Sequence, residues 1–103
     1  MTNKKLTAPQ IEMHRDRLAK LGEIRLYERA VGDGIKRFAH GVKSPEIELL
    51  DMAEAFFMAH RRGEGEEFFT IGRALRRAAH TVYRTLLKQK TSTVNPRFLN
   101  VVQ

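Results

Sequence analysis

The sequence predicts an all-α protein, a small helical bundle of four to five helices with a long amphipathic C-terminal helix and an extended C-terminal tail. Three observations support this prediction. Apolar residues recur with the helical period through most of the 103 residues. Glycine and proline fall where helices are expected to end, and the alternating pattern of a β-strand is absent outside the tail. We expect a bundle domain of residues 8–90, between a flexible N-terminus of residues 1–7 and an extended tail of residues 91–103.

The first helix is expected to begin near Ala8. Thr7 and Gln10 have the spacing of a capping box, in which each side chain bonds the backbone N–H of the other residue. The apolar side of this helix then changes direction at Gly22, because the residues before and after it face sides well over about 90° apart. The sequence therefore predicts a kink at Gly22. The residues before it are Ile11, His14, Leu18 and Leu21, and those after it are Ile24, Tyr27 and Val31.

Two further breaks are expected before the last helix. Residues 32–34, with glycine at both ends, are typical of a turn, and residues 35–40 would form a short helical piece. Ser44 and Pro45 mark the start of the next helix, because serine is a good cap and proline suits the first turn. That helix should end before Gly63.

The last helix is expected to run from Glu64 to Lys90 with two distinct faces. The apolar residues on one side are Phe68, Ile71, Leu75, Ala78, Ala79, Val82 and Leu86. The basic residues on the other side are Arg73, Arg76, Arg77, His80, Arg84 and Lys88. Asn95 and Pro96 should end the helix. The apolar tail beyond them would pack against the bundle or against another subunit.

Positive charge is concentrated at the C-terminal end of the chain. Residues 1–67 contain twelve Lys/Arg and twelve Asp/Glu, whereas residues 68–103 contain seven Lys/Arg and no acid. A surface of one sign that lacks interleaved acids indicates an anionic partner. An outer face that is merely solvated remains the alternative, since every amphipathic helix needs a polar side.

Residues 71–86 resemble the helix-turn-helix segment of bacterial DNA-binding domains, with the register I-A-x-x-L-G-x-S-x-x-T-V-Y-R-x-L. The matching residues are Ile71, Leu75, Thr81, Val82, Tyr83, Arg84 and Leu86. The resemblance implies that Thr81, Tyr83 and Arg84 lie on a recognition helix and that Val82 and Leu86 lie in the core.

A single continuous helix is nevertheless the preferred interpretation of the same residues, and the helix-turn-helix is the alternative. Arg76 stands where the family has its turn glycine, and Arg77 stands where it has an apolar residue that is buried. One apolar period also runs unbroken through the expected turn, whereas a turn would reset its phase.

We therefore expect a small non-enzymatic protein that binds nucleic acid, with DNA as the first choice, in an accessory or regulatory role. The residues expected to bind are Arg73, Arg76, Arg77, His80, Arg84 and Lys88. The alternative is an adaptor or inhibitor that binds an acidic protein surface, or a homodimer. Its expected interface residues are Phe69, Tyr83, Leu87, Phe98 and Leu99.

No cofactor or metal is expected. The chain has no cysteine, and His14, His40, His60 and His80 lack the spacing of metal ligands on a helix. The sequence shows neither a secretory signal nor a stretch of apolar residues long enough to span a bilayer, so we expect a cytoplasmic protein without a membrane partner.

Overall fold

The computed structural model describes the backbone of residues 6–102 and the side chains of residues 6–89. Within these residues the chain forms three helices, α1 (Ala8–Ala39), α2 (Pro45–Arg61) and α3 (Glu67–Val102), and no strand. The prediction of an all-α protein is confirmed, but the predicted count of four to five helices is wrong. Both α1 and α2 pack against α3, which is the central element.

α1 begins as predicted and is sharply bent at Gly22. Thr7 and Gln10 form the complete capping box, with N···O distances of 3.0 and 3.3 Å. Gly22 has φ +88°, a left-handed value that glycine adopts without steric cost. The bend brings Arg17 Nη1 within 3.1 Å of Asp33 Oδ2. On a straight helix these residues would lie about 24 Å apart, so the two halves of α1 lie side by side.

The helix count is wrong chiefly because residues 32–34 are helical rather than a turn. Gly34 is buried where α1 crosses α3, and a Cβ atom at this position would lie 2.8 Å from Val82 Cγ2. Glycine is therefore used here for close contact between helices and not for chain reversal. Residues 35–40 consequently do not form a separate piece, and α1 continues to Ala39.

α2 has the predicted bounds. Pro45 occupies its first turn, although the Ser44 side chain makes no capping hydrogen bond. Gly63, with φ +81°, follows the C-terminal end of α2. α3 then begins at Glu67, slightly later than the expected Glu64.

The predicted extended tail of residues 91–103 is corrected as far as residue 102, because α3 continues to Val102. Pro96 lies inside this helix. Proline removes one hydrogen bond and crowds the preceding turn, but it can kink a helix without ending it. The predicted interface residues Phe98 and Leu99 lie outside the described side chains. The predicted flexible segment of residues 1–7 also lies largely outside the described residues.

The core lies along one side of α3, as the helical period predicts. Every apolar residue expected on that side is buried, and Phe56 of α2 stacks on Phe68 at a centroid distance of 5.7 Å. The core members on α3 are Phe68, Ile71, Ala74, Leu75, Ala78, Ala79, Val82 and Leu86. Residues 71–86 form one continuous helix with Arg76 and Arg77 exposed, so the helix-turn-helix alternative is wrong.

Candidate nucleic-acid interface

The predicted basic residues share the outer side of α3, which we call the basic face (Arg73, Arg76, Arg77, His80, Arg84 and Lys88). α3 is continuous here, so the apolar period that buries one side necessarily turns these residues outward. All except the half-buried Arg73 are exposed. From Arg76 to Lys88 the face extends about 18 Å along the helix axis.

Arg73 differs from the rest of the basic face because α1 supplies it with a carboxylate. Its Nε and Nη2 atoms each donate a hydrogen bond of 2.9 Å to Glu23. The hydrogen bond from Arg73 is the main cause that lowers the pKa of Glu23, and the same bond raises the pKa of Arg73. Arg73 therefore does not present a free charge, in contrast to what the sequence suggested.

Arg76 and Arg77 each contact an aromatic ring of a neighbouring helix. The Cζ atom of Arg76 lies 5.2 Å from the centroid of Phe57 on α2. The Cζ atom of Arg77 lies 5.7 Å from the centroid of Tyr27 on α1. Such contacts restrict a guanidinium while leaving the N–H groups at its edge able to donate. Neither arginine forms a salt bridge among the described residues, although the positive charge of Arg77 contributes to the lowered pKa of Glu23.

The C-terminal half of the basic face contains His80, Arg84 and Lys88, and no ion pair involves them in the part of the chain that the structure describes. Tyr83 lies beside them, and 51% of its surface is exposed. Leu87 is also exposed, one turn beyond Tyr83. This half therefore combines unneutralised charge with apolar surface.

Two of the other predicted contact residues are engaged within the protein. Thr81, which the helix-turn-helix resemblance placed on a recognition surface, shares a hydrogen bond of 2.7 Å with the hydroxyl of Tyr27. Phe69 contacts the rings of Phe57 and His60 at centroid distances of 5.6 and 5.3 Å, although 41% of it remains exposed.

Sequence reasoning missed Glu23, Tyr27 and Phe57, which decide how the arginines are held. These residues come from α1 and α2, far from the basic face along the chain. Tyr27 and Phe57 belong to the apolar pattern of their own helices, which indicates burial but not a partner. Only the way in which the three helices pack brings them to the arginines.

A concave region separate from the basic face lies between α1 and α2, with a volume of about 640 Å³. The acids Asp33 and Glu48 at its border are paired with Arg17 and Arg37, at 3.1 and 2.7 Å. His14 also borders it, but both ring nitrogens are sealed from solvent and have no partner among the described groups. This region therefore does not present His14 as an accessible acid or base.

His14 is held neutral by its surroundings. It is only 4% exposed and packs edge-on against Phe56, with a centroid distance of 5.5 Å. Burial, together with the positive charge of Arg17, lowers the pKa of His14 to about 4, while Asp33 opposes the shift. Its role is that of a packed core residue.

Within residues 6–89, no group of three or more histidine, cysteine, aspartate or glutamate side chains could hold a metal ion. No helix in the described part of the chain has both the length and the apolar character of a membrane span. The chain matches no protein-family model, no curated protein and no solved structure.

Proposed function

We propose that this chain is a small non-enzymatic protein that binds nucleic acid, with DNA as the first choice, through the basic face of α3 in an accessory or regulatory role. One observation carries the proposal. Five basic side chains share one exposed helix face, and none of them forms a salt bridge with a carboxylate in the described part of the chain. They are Arg76, Arg77, His80, Arg84 and Lys88.

The aromatic contacts of Arg76 and Arg77 support this proposal. A surface arginine normally loses side-chain entropy when it binds a phosphate. Phe57 and Tyr27 already restrict these two guanidinium groups, so part of that cost is met before binding. Their N–H groups can then donate to phosphate oxygens in the paired geometry that arginine favours.

The test is a salt titration of affinity for a labelled DNA duplex of mixed sequence. For wild-type protein, the logarithm of the binding constant should fall linearly with the logarithm of salt concentration. The double variant Arg76→Ala/Arg77→Ala should bind more weakly, and its slope should be smaller by about two, because two phosphate contacts are lost.

The matched control is Arg29→Ala/Lys36→Ala, which removes the same charge from exposed positions on α1. Both control residues border a shallow hollow lined by α1 residues. The control should keep the wild-type slope. An equal loss in the two double variants would mean that only net charge matters and would contradict the proposed site.

A second candidate function is an adaptor or inhibitor that binds an acidic protein surface. It is favoured by the exposed apolar side chains of Phe69, Tyr83 and Leu87, which lie beside the basic face. This hypothesis predicts negligible affinity for DNA at every salt concentration and a defined protein partner. A partner complex that survives salt but is lost in Tyr83→Ala would support it.

A further inference from the structure

We propose that the basic face takes a single strand of nucleic acid, with its phosphates along one row of cations and a base stacked on Tyr83. This inference rests on the proposed function and specifies its ligand. The observation behind it is the arrangement of charged and planar side chains in two rows along α3.

The first row is cationic. At about 100° per residue, Arg77, Arg84 and Lys88 lie within about 20° of a common line along the helix. All three are exposed, and none forms a salt bridge within the described residues. The row spans about 16 Å, which accommodates about five nucleotides at a stacked rise of 3.4 Å. One row of this kind matches one phosphate backbone.

The second row contains planar and apolar side chains. Tyr83 and Leu87 lie within about 40° of one another, and His80 lies between this row and the cations. A strand whose phosphates follow the cationic row directs its bases towards this second row. Stacking requires bases that are not enclosed in a duplex, so the arrangement favours a single strand.

Tyr83 is the aromatic residue suited to such stacking. Its surface is 51% exposed. Among the described residues, its ring contacts no other ring or guanidinium, and its hydroxyl makes no hydrogen bond. Phe69 differs, because its ring is already in contact with Phe57, His60 and Arg73. Tyr83 therefore offers an unoccupied aromatic surface next to the cations.

The experiment measures the affinity of wild-type protein, Tyr83→Ala and Tyr83→Phe for three labelled 12-nucleotide DNA probes. The probes are an unstructured single strand, the duplex of the same sequence, and a single strand that consists of abasic sites. Tyr83→Ala should weaken binding of the normal single strand by roughly 5- to 150-fold, as expected for the loss of one stacked base. Tyr83→Phe should retain the affinity within about twofold, because it keeps the ring.

Binding of the duplex and of the abasic strand should be unchanged by Tyr83→Ala. Ile47→Ala, which removes an exposed apolar side chain on α2, controls for general surface effects and should leave all affinities unchanged. Circular dichroism should show that each variant is folded.

The outcomes separate this inference from the proposed function. If Tyr83→Ala does not alter single-strand affinity, or weakens all three probes equally, the stacking inference is overturned. In that case a continued dependence on Arg76 and Arg77 would leave nucleic-acid binding intact. If the wild-type protein binds no probe at low salt, both proposals fail.

Discussion

The inner and outer sides of the bundle treat polar groups in opposite ways. On the inner side, packing excludes charge, since His14 is sealed from solvent and remains neutral beside Phe56. On the outer side of α3, a charge persists unless a neighbouring helix supplies an acid. Glu23 supplies one for Arg73, whereas Arg76 contacts the ring of Phe57. Close packing therefore determines which groups are charged on the inner side, and the placement of single carboxylates determines which charges stay unpaired on the outer side.

The largest effect should come from lowering the pH, because His14 must then accept a proton in the core. Its pKa falls from 6.5 to about 4 on folding, so the unfolded chain binds the proton more readily. His14 therefore destabilises the fold as pH falls from about 6.5 to about 4, by about 3 kcal/mol in total. The measurement is the free energy of unfolding in urea across this pH range.

His14→Leu isolates this effect from the carboxylates, which also titrate as the solution becomes acidic. The difference in unfolding free energy between wild type and His14→Leu should be constant above about pH 7. It should then shift by about 3 kcal/mol against the wild type as the pH falls to about 4. Parallel pH curves for the two proteins would contradict the account of a buried neutral imidazole.

A smaller effect should distinguish two glycines of α1. Gly34→Ala places a Cβ atom 2.8 Å from Val82 Cγ2, whereas Gly32→Ala meets nothing within 4 Å. Crowding at residue 34 should outweigh the gain in helix propensity, so Gly34→Ala should lose about 1 kcal/mol of stability. Gly32→Ala should gain roughly 0.5–1 kcal/mol. Urea unfolding of both variants checks this, and a gain for both would show that α1 and α3 are not closely packed there.

The smallest effect concerns the acid that neutralises Arg73. Glu23→Gln should release the charge of Arg73, so affinity for DNA should rise a few-fold and the salt slope should steepen by about one. Arg73→Ala in the wild-type background should leave the slope unchanged, because that charge is already paired. The salt titration of these two variants checks the distinction. A slope that decreases by about one in Arg73→Ala would show that Arg73 contacts DNA despite Glu23.

The fold of α3 could be predicted from sequence far better than that of α1. One apolar period runs through residues 68–86, and every residue it placed inside is buried. In α1, Gly22 and Gly34 are the same residue type with different roles. Gly22 adopts a left-handed conformation, whereas Gly34 allows close contact with Val82. The local change in direction of the apolar side predicted the kink at Gly22, but nothing local to Gly34 indicated its role, because that role depends on a helix about 50 residues away.

In the candidate site, too, features of a single helix could be predicted from sequence, whereas contacts between helices could not. Periodicity predicted that Arg76, Arg77 and Arg84 lie on one exposed face, because that property belongs to a single helix. It did not predict the pairing of Arg73 with Glu23, because a carboxylate on α1 can reach α3 only after the bundle has formed. The predicted end of α3 before Pro96 failed because a single proline weakens a helix without necessarily ending it.

An amide chemical-shift titration of the isotope-labelled protein with an unstructured 12-nucleotide single strand shows directly whether the basic face is the binding surface. The largest amide chemical-shift changes should fall between Arg76 and Lys88 on α3. Residues that border the concave region between α1 and α2, such as Met13 and Met52, should remain unperturbed. Shifts concentrated around that concave region, or no shifts at low salt, would contradict the assignment of the basic face as the binding surface.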